Sequence, residues 1–213
     1  MRAFRLIFSR DVRASVVRVA ECEPDTGAVG RAFGDEYLES LMKNEPRSRA
    51  ESLCGALLLL SLTEEFGLPP GTIVRGESGK PRFEDAGMPG FSISHDGGLV
   101  LAAVNLKGNA GADVTLCGRI RPENAEKMAA RCFSPEEARL IASTPAEEKA
   151  ELFSVLWADR EAASKYFGGR LAEGFGKPLP DNLIYRRFGI IDGDTAACAT
   201  VCLPPAPPER AAP

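Results

Sequence analysis

The stretch WADREAASKYFGGRL, residues 157–171, completes a long segment whose apolar residues recur at helical spacing. This periodicity predicts a helix with one face turned to the core. Trp157, Glu161 and Lys165 are four residues apart, so they form one row along that helix. The apolar face consists of Leu152, Phe153, Val155, Leu156, Ala162, Ala163 and Phe167.

Both ends of this helix carry boundary signals. Residues 144–147 read TPAE, which predicts a capping box on Thr144 with proline in the first turn. Gly168 and Gly169 predict the end, because glycine takes the left-handed conformation at little steric cost.

The polar row has two interpretations. A glutamate four residues before a lysine is an ordinary surface pair, worth about 0.2–0.5 kcal/mol. On spacing alone that interpretation is favoured, and three further stretches change it. Residues 79–83 read GKPRF and residues 91–98 read FSISHDGG, and they are followed by GADVT at residues 111–115.

In this order, with W-x-x-R-E-A-x-x-K at residues 157–165, the motifs resemble the 4'-phosphopantetheinyl transferases. More narrowly, they resemble the larger, two-half, surfactin-synthetase-activating type. The resemblance implies an α+β fold of two similar α/β halves related by a pseudo-twofold, each with a small, mostly antiparallel sheet packed on helices. We expect an N-terminal half over residues 1–106, which binds the adenine and phosphates of coenzyme A, and a C-terminal half over 107–203. Residues 204–213 contain five prolines and no apolar anchor, which predicts a disordered tail.

The implied reaction moves phosphopantetheine from coenzyme A to a serine of an apo acyl or peptidyl carrier protein and releases adenosine 3',5'-bisphosphate. Asp113 and Glu161 match the family's two constant metal carboxylates, and Mg²⁺ prefers such oxygen ligands. Glu161 would also act as the general base, directly or through water. Lys165 would hold the α-phosphate. Thr115 departs from the many members with a glutamate there, so we assign two protein carboxylates, with water completing the site.

Coenzyme A contacts also follow from the resemblance. Lys80 and Pro81 match the wall beside the adenine, and Ser94 and His95, the only histidine, match phosphate contacts. The family normally places an arginine for the 3'-phosphate where this chain has Glu51. Either Arg47 or Arg49, one turn earlier, would substitute; the sequence leaves the choice open.

Residues 116–131 are predicted to dock the carrier protein, since they hold four basic side chains against two glutamates and start beside Asp113. Apolar neighbours would add contact area, and the family uses the same region. The docking candidates are Leu116, Arg119, Ile120, Arg121, Lys127 and Met128. A solvated basic helix is the alternative.

Composition limits the other possibilities. The 213 residues are 44% hydrophobic and 26% charged with a net charge of −4, which argues against a general nucleic-acid binder. No apolar run approaches the roughly 20 residues of a membrane span, and the N-terminus lacks a signal-peptide pattern. The six cysteines contain no C-x-x-C pair and are expected to be free thiols. We therefore expect a cytoplasmic monomer.

The other predicted elements place the motifs. Residues 21–34 are expected to form a loop, and Asp96, Gly97 and Gly98 to turn a hairpin. Helices are expected at 35–43, 48–66 and 122–130, a further helix capped at Ser134, and strands at 4–8, 15–19, 72–74, 91–94, 99–104, 111–114, 183–188, 189–191 and 195–203.

Two other functions compete. A serine hydrolase using Ser92 or Ser94 with His95 fits poorly, because neighbouring strand residues face opposite sides and no Gly-x-Ser-x-Gly occurs. A non-catalytic coenzyme A-binding paralogue is the stronger alternative, although it would not need Glu161 and Lys165. The sequence identifies neither the physiological carrier nor the pathway.

Overall fold

Two groups of three α-helices lie between runs of antiparallel strands in a computed structural model that describes residues 3–76 and 79–205. The longest two, α3 and α6, each carry a buried face against a sheet. The helices are α1 (Thr26–Phe33), α2 (Asp35–Met42), α3 (Pro46–Glu65), α4 (Pro122–Cys132), α5 (Pro135–Ser143) and α6 (Ala146–Phe167).

The strands form a four-stranded sheet, a three-stranded sheet and a small two-stranded ribbon, and every paired neighbour is antiparallel. They are β1 (Phe4–Ile7), β2 (Val12–Arg18), β3 (Ile73–Arg75), β4 (Pro81–Phe83), β5 (Gly90–Asp96), β6 (Leu99–Asn105), β7 (Gly111–Leu116), β8 (Ile184–Asp192) and β9 (Thr195–Leu203).

One topology occurs twice in the chain. In the first occurrence β2 leads into helices α1 to α3, and the chain returns as the β5–β6 hairpin with sheet order β2-β6-β5. In the second, β7 leads into α4 to α6 and the chain returns as β8–β9 with order β7-β9-β8. This repeat confirms the expected fold of two similar halves. The boundary at residues 106 and 107 stays a prediction.

The central helices lie so close to the strands that glycine is required at the contacts. A Cβ on Gly55 of α3 would lie 2.6 Å from Ile93 of β5. A Cβ on Gly111 of β7 would lie 1.9 Å from the Ala162 carbonyl oxygen of α6. Because β7 approaches α6 this closely, polar side chains of the two elements can reach one another.

Four apolar layers of the described residues stabilise this arrangement. One lies between α1 to α3 and one face of the four-stranded sheet, a second between the two larger sheets, a third among α4, α5 and α6, and a smaller fourth between α6 and the three-stranded sheet. Burial of a large aliphatic or aromatic side chain in such layers stabilises the fold by about 1.5–3 kcal/mol.

The β5–β6 hairpin matches its prediction. Asp96 pairs with Leu99 across the turn, and Gly97 and Gly98 have φ of 59° and 83°, which only glycine adopts easily. Ser92, Ser94 and Asp96 are buried while His95 is exposed, so the alternation of β5 separates Ser94 from His95.

Three local predictions were wrong. The expected loop at 21–34 contains α1, which Asp25 caps by accepting from the Ala28 N–H. Thr144 does not cap α6; its hydroxyl donates to the Leu140 carbonyl at the end of α5. The two short strands expected at 183–191 are the single strand β8.

Other local expectations are confirmed, and one falls outside the residues that the structure describes. Ser134 forms the capping box of α5, and Gly168 ends α6 in the left-handed conformation. All six cysteines are free. Residues 206–213 of the predicted disordered tail lie outside the described residues. Within the described part of the chain, no helix is both long and apolar enough to cross a membrane.

Candidate active site

A cleft of about 540 Å³ opens where β5, β7 and α6 meet. The residues predicted to carry chemistry lie together on its walls although the sequence separates them widely. Its polar lining comprises Ser94, His95, Asp96, Asp113, Thr115, Arg119, Ser154, Glu161 and Lys165.

Asp113 is the centre of the polar network. Its carboxylate is 3% exposed, because the side chain points from buried β7 toward α6. Its Oδ1 accepts from the Ser94 hydroxyl at 2.7 Å and from Lys165 Nζ at 2.6 Å. Its Oδ2 accepts from the Thr115 hydroxyl at 2.8 Å. Every oxygen of this buried carboxylate therefore has a donor, as a buried charge requires.

Glu161 lies one helical turn before Lys165, in the row along α6 that the sequence predicts. Trp157 Nε1 donates to Glu161 Oε1 at 3.2 Å, and Lys165 Nζ lies 3.5 Å from Glu161 Oε2. Burial raises the pKa of Glu161, Lys165 opposes that rise, and the neighbouring Asp113 adds to it. A carboxylate with a raised pKa is a better proton acceptor.

The donor set fits a hard divalent cation. Asp113 and Glu161 line one cleft and both present carboxylate oxygens, which Mg²⁺ prefers, while the Thr115 hydroxyl is bonded to Asp113 Oδ2. Within residues 3–76 and 79–205, no group of three or more His, Cys, Asp or Glu side chains could hold a metal. The geometry thus supplies two carboxylates, as the sequence predicts.

Lys80 and Pro81 line two smaller cavities, of about 320 and 220 Å³, beside the C-terminal end of α6. Lys80 Nζ donates to the Ala110 carbonyl at 2.9 Å. Burial, and secondarily the charge of Lys165, lowers the pKa of Lys80 to about 8. The two lysines share one of these cavities, so it is suited to an anion.

At the other side of the hairpin, His95 contacts Glu51 of α3. His95 Nδ1 lies 3.0 Å from Glu51 Oε2, and the Gly98 N–H donates to Glu51 Oε1 at 3.2 Å. Arg47 Nε lies 3.8 Å from the same carboxylate. Arg49 points elsewhere, since its guanidinium donates to the Asn44 carbonyl at 3.0 Å. Of the two candidate arginines, only Arg47 lies near the Glu51 carboxylate.

The predicted docking residues are distributed over different surfaces. Arg119, Ile120 and Met128 line the cleft. Arg121 and Lys127 are exposed outside it. Leu116 packs over the hairpin turn, because a Cβ on Gly97 would lie 2.2 Å from its Cδ1.

Sequence reasoning missed the roles of two residues of the cleft. Asp96, named only as a turn residue, accepts from the Leu116 N–H at 2.9 Å and from Arg119 at 2.5 Å, so it holds the segment after β7. Phe153 lines the cleft and stacks on Trp157 with ring centroids 5.7 Å apart. Burial of Asp96 depends on tertiary contacts, which give no local signal.

Comparison with known proteins finds a family model that matches the second part of the chain. Residues 109–200 match the family model described as the 4'-phosphopantetheinyl transferase superfamily. AcpT of Salmonella typhimurium, named a 4'-phosphopantetheinyl transferase, is 30% identical over 147 residues, 67% of this chain and 72% of that protein.

Cyanobacterial relatives align over a shorter part. HetI of Nostoc sp., also named a 4'-phosphopantetheinyl transferase, is 32% identical over 136 residues, 60% of this chain. The chain spans about half the length of these relatives, 56% of HetI and 49% of a Synechocystis protein that is 30% identical over 123 residues.

Proposed function

Because the chain belongs to the 4'-phosphopantetheinyl transferase superfamily, we propose that it transfers phosphopantetheine from coenzyme A to a serine of an apo acyl or peptidyl carrier protein. One observation carries the proposal. A buried carboxylate, a second carboxylate of raised pKa and a lysine converge from β7 and α6 on one cleft.

These three side chains, Asp113, Glu161 and Lys165, would support the following bond changes. The serine oxygen bonds to the β-phosphorus as the bond from that phosphorus to the bridging oxygen breaks. The bridging oxygen leaves with adenosine 3',5'-bisphosphate, and the serine proton passes to Glu161, directly or through water. The raised pKa of Glu161 suits it to accept that proton.

Charge on the leaving group is met by Lys165. Its ammonium already pairs with Asp113 at 2.6 Å and reaches Glu161 at 3.5 Å, so it lies between the two carboxylates. Asp113 and Glu161 would hold Mg²⁺, which when bound neutralises charge on the pyrophosphate.

Coenzyme A would extend from this centre along the hairpin and the neighbouring cavities. Ser94 and His95 would contact its phosphates, and Lys80 and Pro81 its adenine side. The shared cavity of Lys80 and Lys165 and the position of His95 on the cleft rim support these roles. Arg47 remains the candidate for the 3'-phosphate, since it lies nearest to the His95–Glu51 pair.

The carrier would approach over the segment after β7, where Arg119, Ile120 and Met128 line the cleft. Exposed Arg121 and Lys127 would attract its acidic surface. We assign the chain to the larger, two-half type because its topology repeats, with the coenzyme A side in the first half and the catalytic helix in the second. We also propose that the protein is a monomer, since both halves come from one chain, and that it acts in the cytoplasm.

The experiment is mass spectrometry of an apo carrier protein incubated with this chain, coenzyme A and Mg²⁺. A gain equal to one phosphopantetheine on the carrier serine is expected, together with adenosine 3',5'-bisphosphate. Binding of coenzyme A without modification of any acyl or peptidyl carrier would instead favour the non-catalytic paralogue.

A further inference from the structure

Glu51 is a buried acid that the proposed chemistry does not use. It lies in α3 and is 7% exposed, although nearly all of its neighbours along that face are apolar. An ionised carboxylate in such a place is costly unless its oxygens are paired. The groups that contact its two oxygens therefore indicate what this side chain does.

Both oxygens face the β5–β6 hairpin. Oε2 lies 3.0 Å from His95 Nδ1, and Oε1 accepts from the Gly98 N–H at 3.2 Å. The His95 ring lies at ion-pair distance from this carboxylate on one side and lines the cleft on the other. One carboxylate thus holds the imidazole ring and the turn that follows it.

The turn is held from its other side as well. Leu116 packs so closely on Gly97 that a Cβ there would lie 2.2 Å from the leucine Cδ1. Asp96 accepts from the Leu116 N–H at 2.9 Å. With the β7 side of the turn fixed by packing, Glu51 supplies the matching contact from α3.

We propose that Glu51 is a positioning residue that holds the His95 ring at the cleft, where it contacts a phosphate of coenzyme A. The proposal rests on the proposed function, which gives His95 that contact. This role accounts for Glu51 at a position where the family resemblance implies an arginine. A positively charged side chain is then not required at position 51. Arg47, 3.8 Å away and 79% exposed at its side chain, would contribute less.

The test measures KM for coenzyme A and for carrier separately in Glu51→Gln, His95→Ala and the double variant. Loss of the ion-pair contact that holds His95 predicts a rise of about tenfold in KM for coenzyme A in Glu51→Gln. The turnover number and KM for carrier should stay within about twofold. Glu51→Asp should recover part of the loss, and Glu64→Gln, an exposed change on the same helix, should have no effect.

The double variant separates positioning from general structure. If Glu51 acts through His95, the double variant should bind coenzyme A no more weakly than His95→Ala alone. Additive losses, or a fall in KM for coenzyme A after Glu51→Gln, would overturn the proposal. The fall would mean that the carboxylate repels the phosphate.

Calorimetric titration of coenzyme A into the same variants gives a readout that needs no transfer. If no carrier is modified but Glu51→Gln weakens coenzyme A binding only when His95 is present, the proposed reaction fails and the positioning role stands. If transfer proceeds and coenzyme A binding is unchanged in Glu51→Gln, the positioning role fails alone.

Discussion

Lys165 Nζ lies 2.6 Å from Asp113 Oδ1, although 52 residues separate them in the chain. The contact exists because Gly111 lets β7 approach α6 at the Ala162 carbonyl. The ammonium and the buried carboxylate therefore offset each other, and Ser94 bridges them by accepting from Lys165 and donating to Asp113. The first two predictions test how much of the reaction depends on this group.

Asp113→Asn should lower the transfer rate by about 100-fold or more. The neutral amide cannot offset the positive charge of Lys165 as the carboxylate does. The fold should persist, because asparagine has nearly the same shape and still accepts from Ser94. The rate is measured by mass spectrometry of the carrier, and thermal unfolding serves as the control. Turnover close to wild type would exclude Asp113 from the chemistry.

Glu161→Gln should reduce turnover by about 100-fold, the lower end for loss of a general base. Glutamine keeps an acceptor for Trp157, so the helix should be undisturbed. Trp157→Phe is the matched control: it removes that hydrogen bond, retains the carboxylate and should cost less than about tenfold. If Glu161→Gln retained most of its turnover, another group must take the serine proton.

The sequence predicts the polar row on α6 well, because a period of four residues is a local signal. Trp157, Glu161 and Lys165 do contact one another in order. The hairpin at Gly97 and Gly98 is equally local, since it depends on positive φ at two glycines.

Contacts between elements could not be predicted in the same way. Glu51 and Gly98 are 47 residues apart, and only the packing of α3 on β5 brings the glutamate to the turn. The α1 helix was missed because its two glycines have poor helix propensity, whereas tertiary burial of Val29 and Phe33 stabilises it. Thr144 carries a capping signal, but its hydroxyl bonds to the preceding helix instead.

Thr115→Glu should strengthen the metal site. The Thr115 hydroxyl donates to Asp113 Oδ2 at 2.8 Å and lines the cleft, so a longer acid would add a third carboxylate there. We expect the Mg²⁺ concentration for half-maximal transfer to fall about tenfold. Calorimetric titration of Mg²⁺ in the absence of carrier gives an independent measurement.

Thr115→Val is the control for that change, because it removes the hydroxyl at nearly constant shape. It should leave the Mg²⁺ requirement close to wild type. Unchanged metal titrations in both variants would remove Thr115 from the metal site.

Coenzyme A use should depend on pH through Lys80. Burial and the nearby Lys165 lower the pKa of Lys80 to about 8, so its amine is charged below that pH and becomes neutral above it. If Lys80 contacts an anionic part of coenzyme A, kcat/KM for coenzyme A falls as pH rises through about 8. This ratio reports the free enzyme.

Lys80→Arg keeps its charge over this range, so its kcat/KM should stay level to about pH 9 even if its value at pH 7 is lower. The shape of the profile is the measurement, and equal KM values for carrier across the series provide the control. A Lys80→Arg profile that declines as in wild type would assign the titration to another group.

The docking of the carrier is tested best at Arg121. Arg119 pairs with Asp96 at 2.5 Å, so reversing its charge would also disturb the segment that Asp96 holds. Arg121 is exposed and precedes the first residue of α4, so Arg121→Glu changes charge with little effect on packing. We expect its KM for an acidic carrier to rise by about three- to tenfold at low salt. High salt should reduce the difference, because it screens exposed charges.

The same substitution at Arg31, which is exposed on α1 in the first half, is the matched control and should leave KM for carrier unchanged. KM for coenzyme A should stay constant in both variants, because neither arginine lines the cleft. If Arg121→Glu and Arg31→Glu raised KM for carrier equally, net charge alone would explain the effect. If KM for coenzyme A rose instead, Arg121 would belong to the nucleotide site and the carrier would dock on another surface.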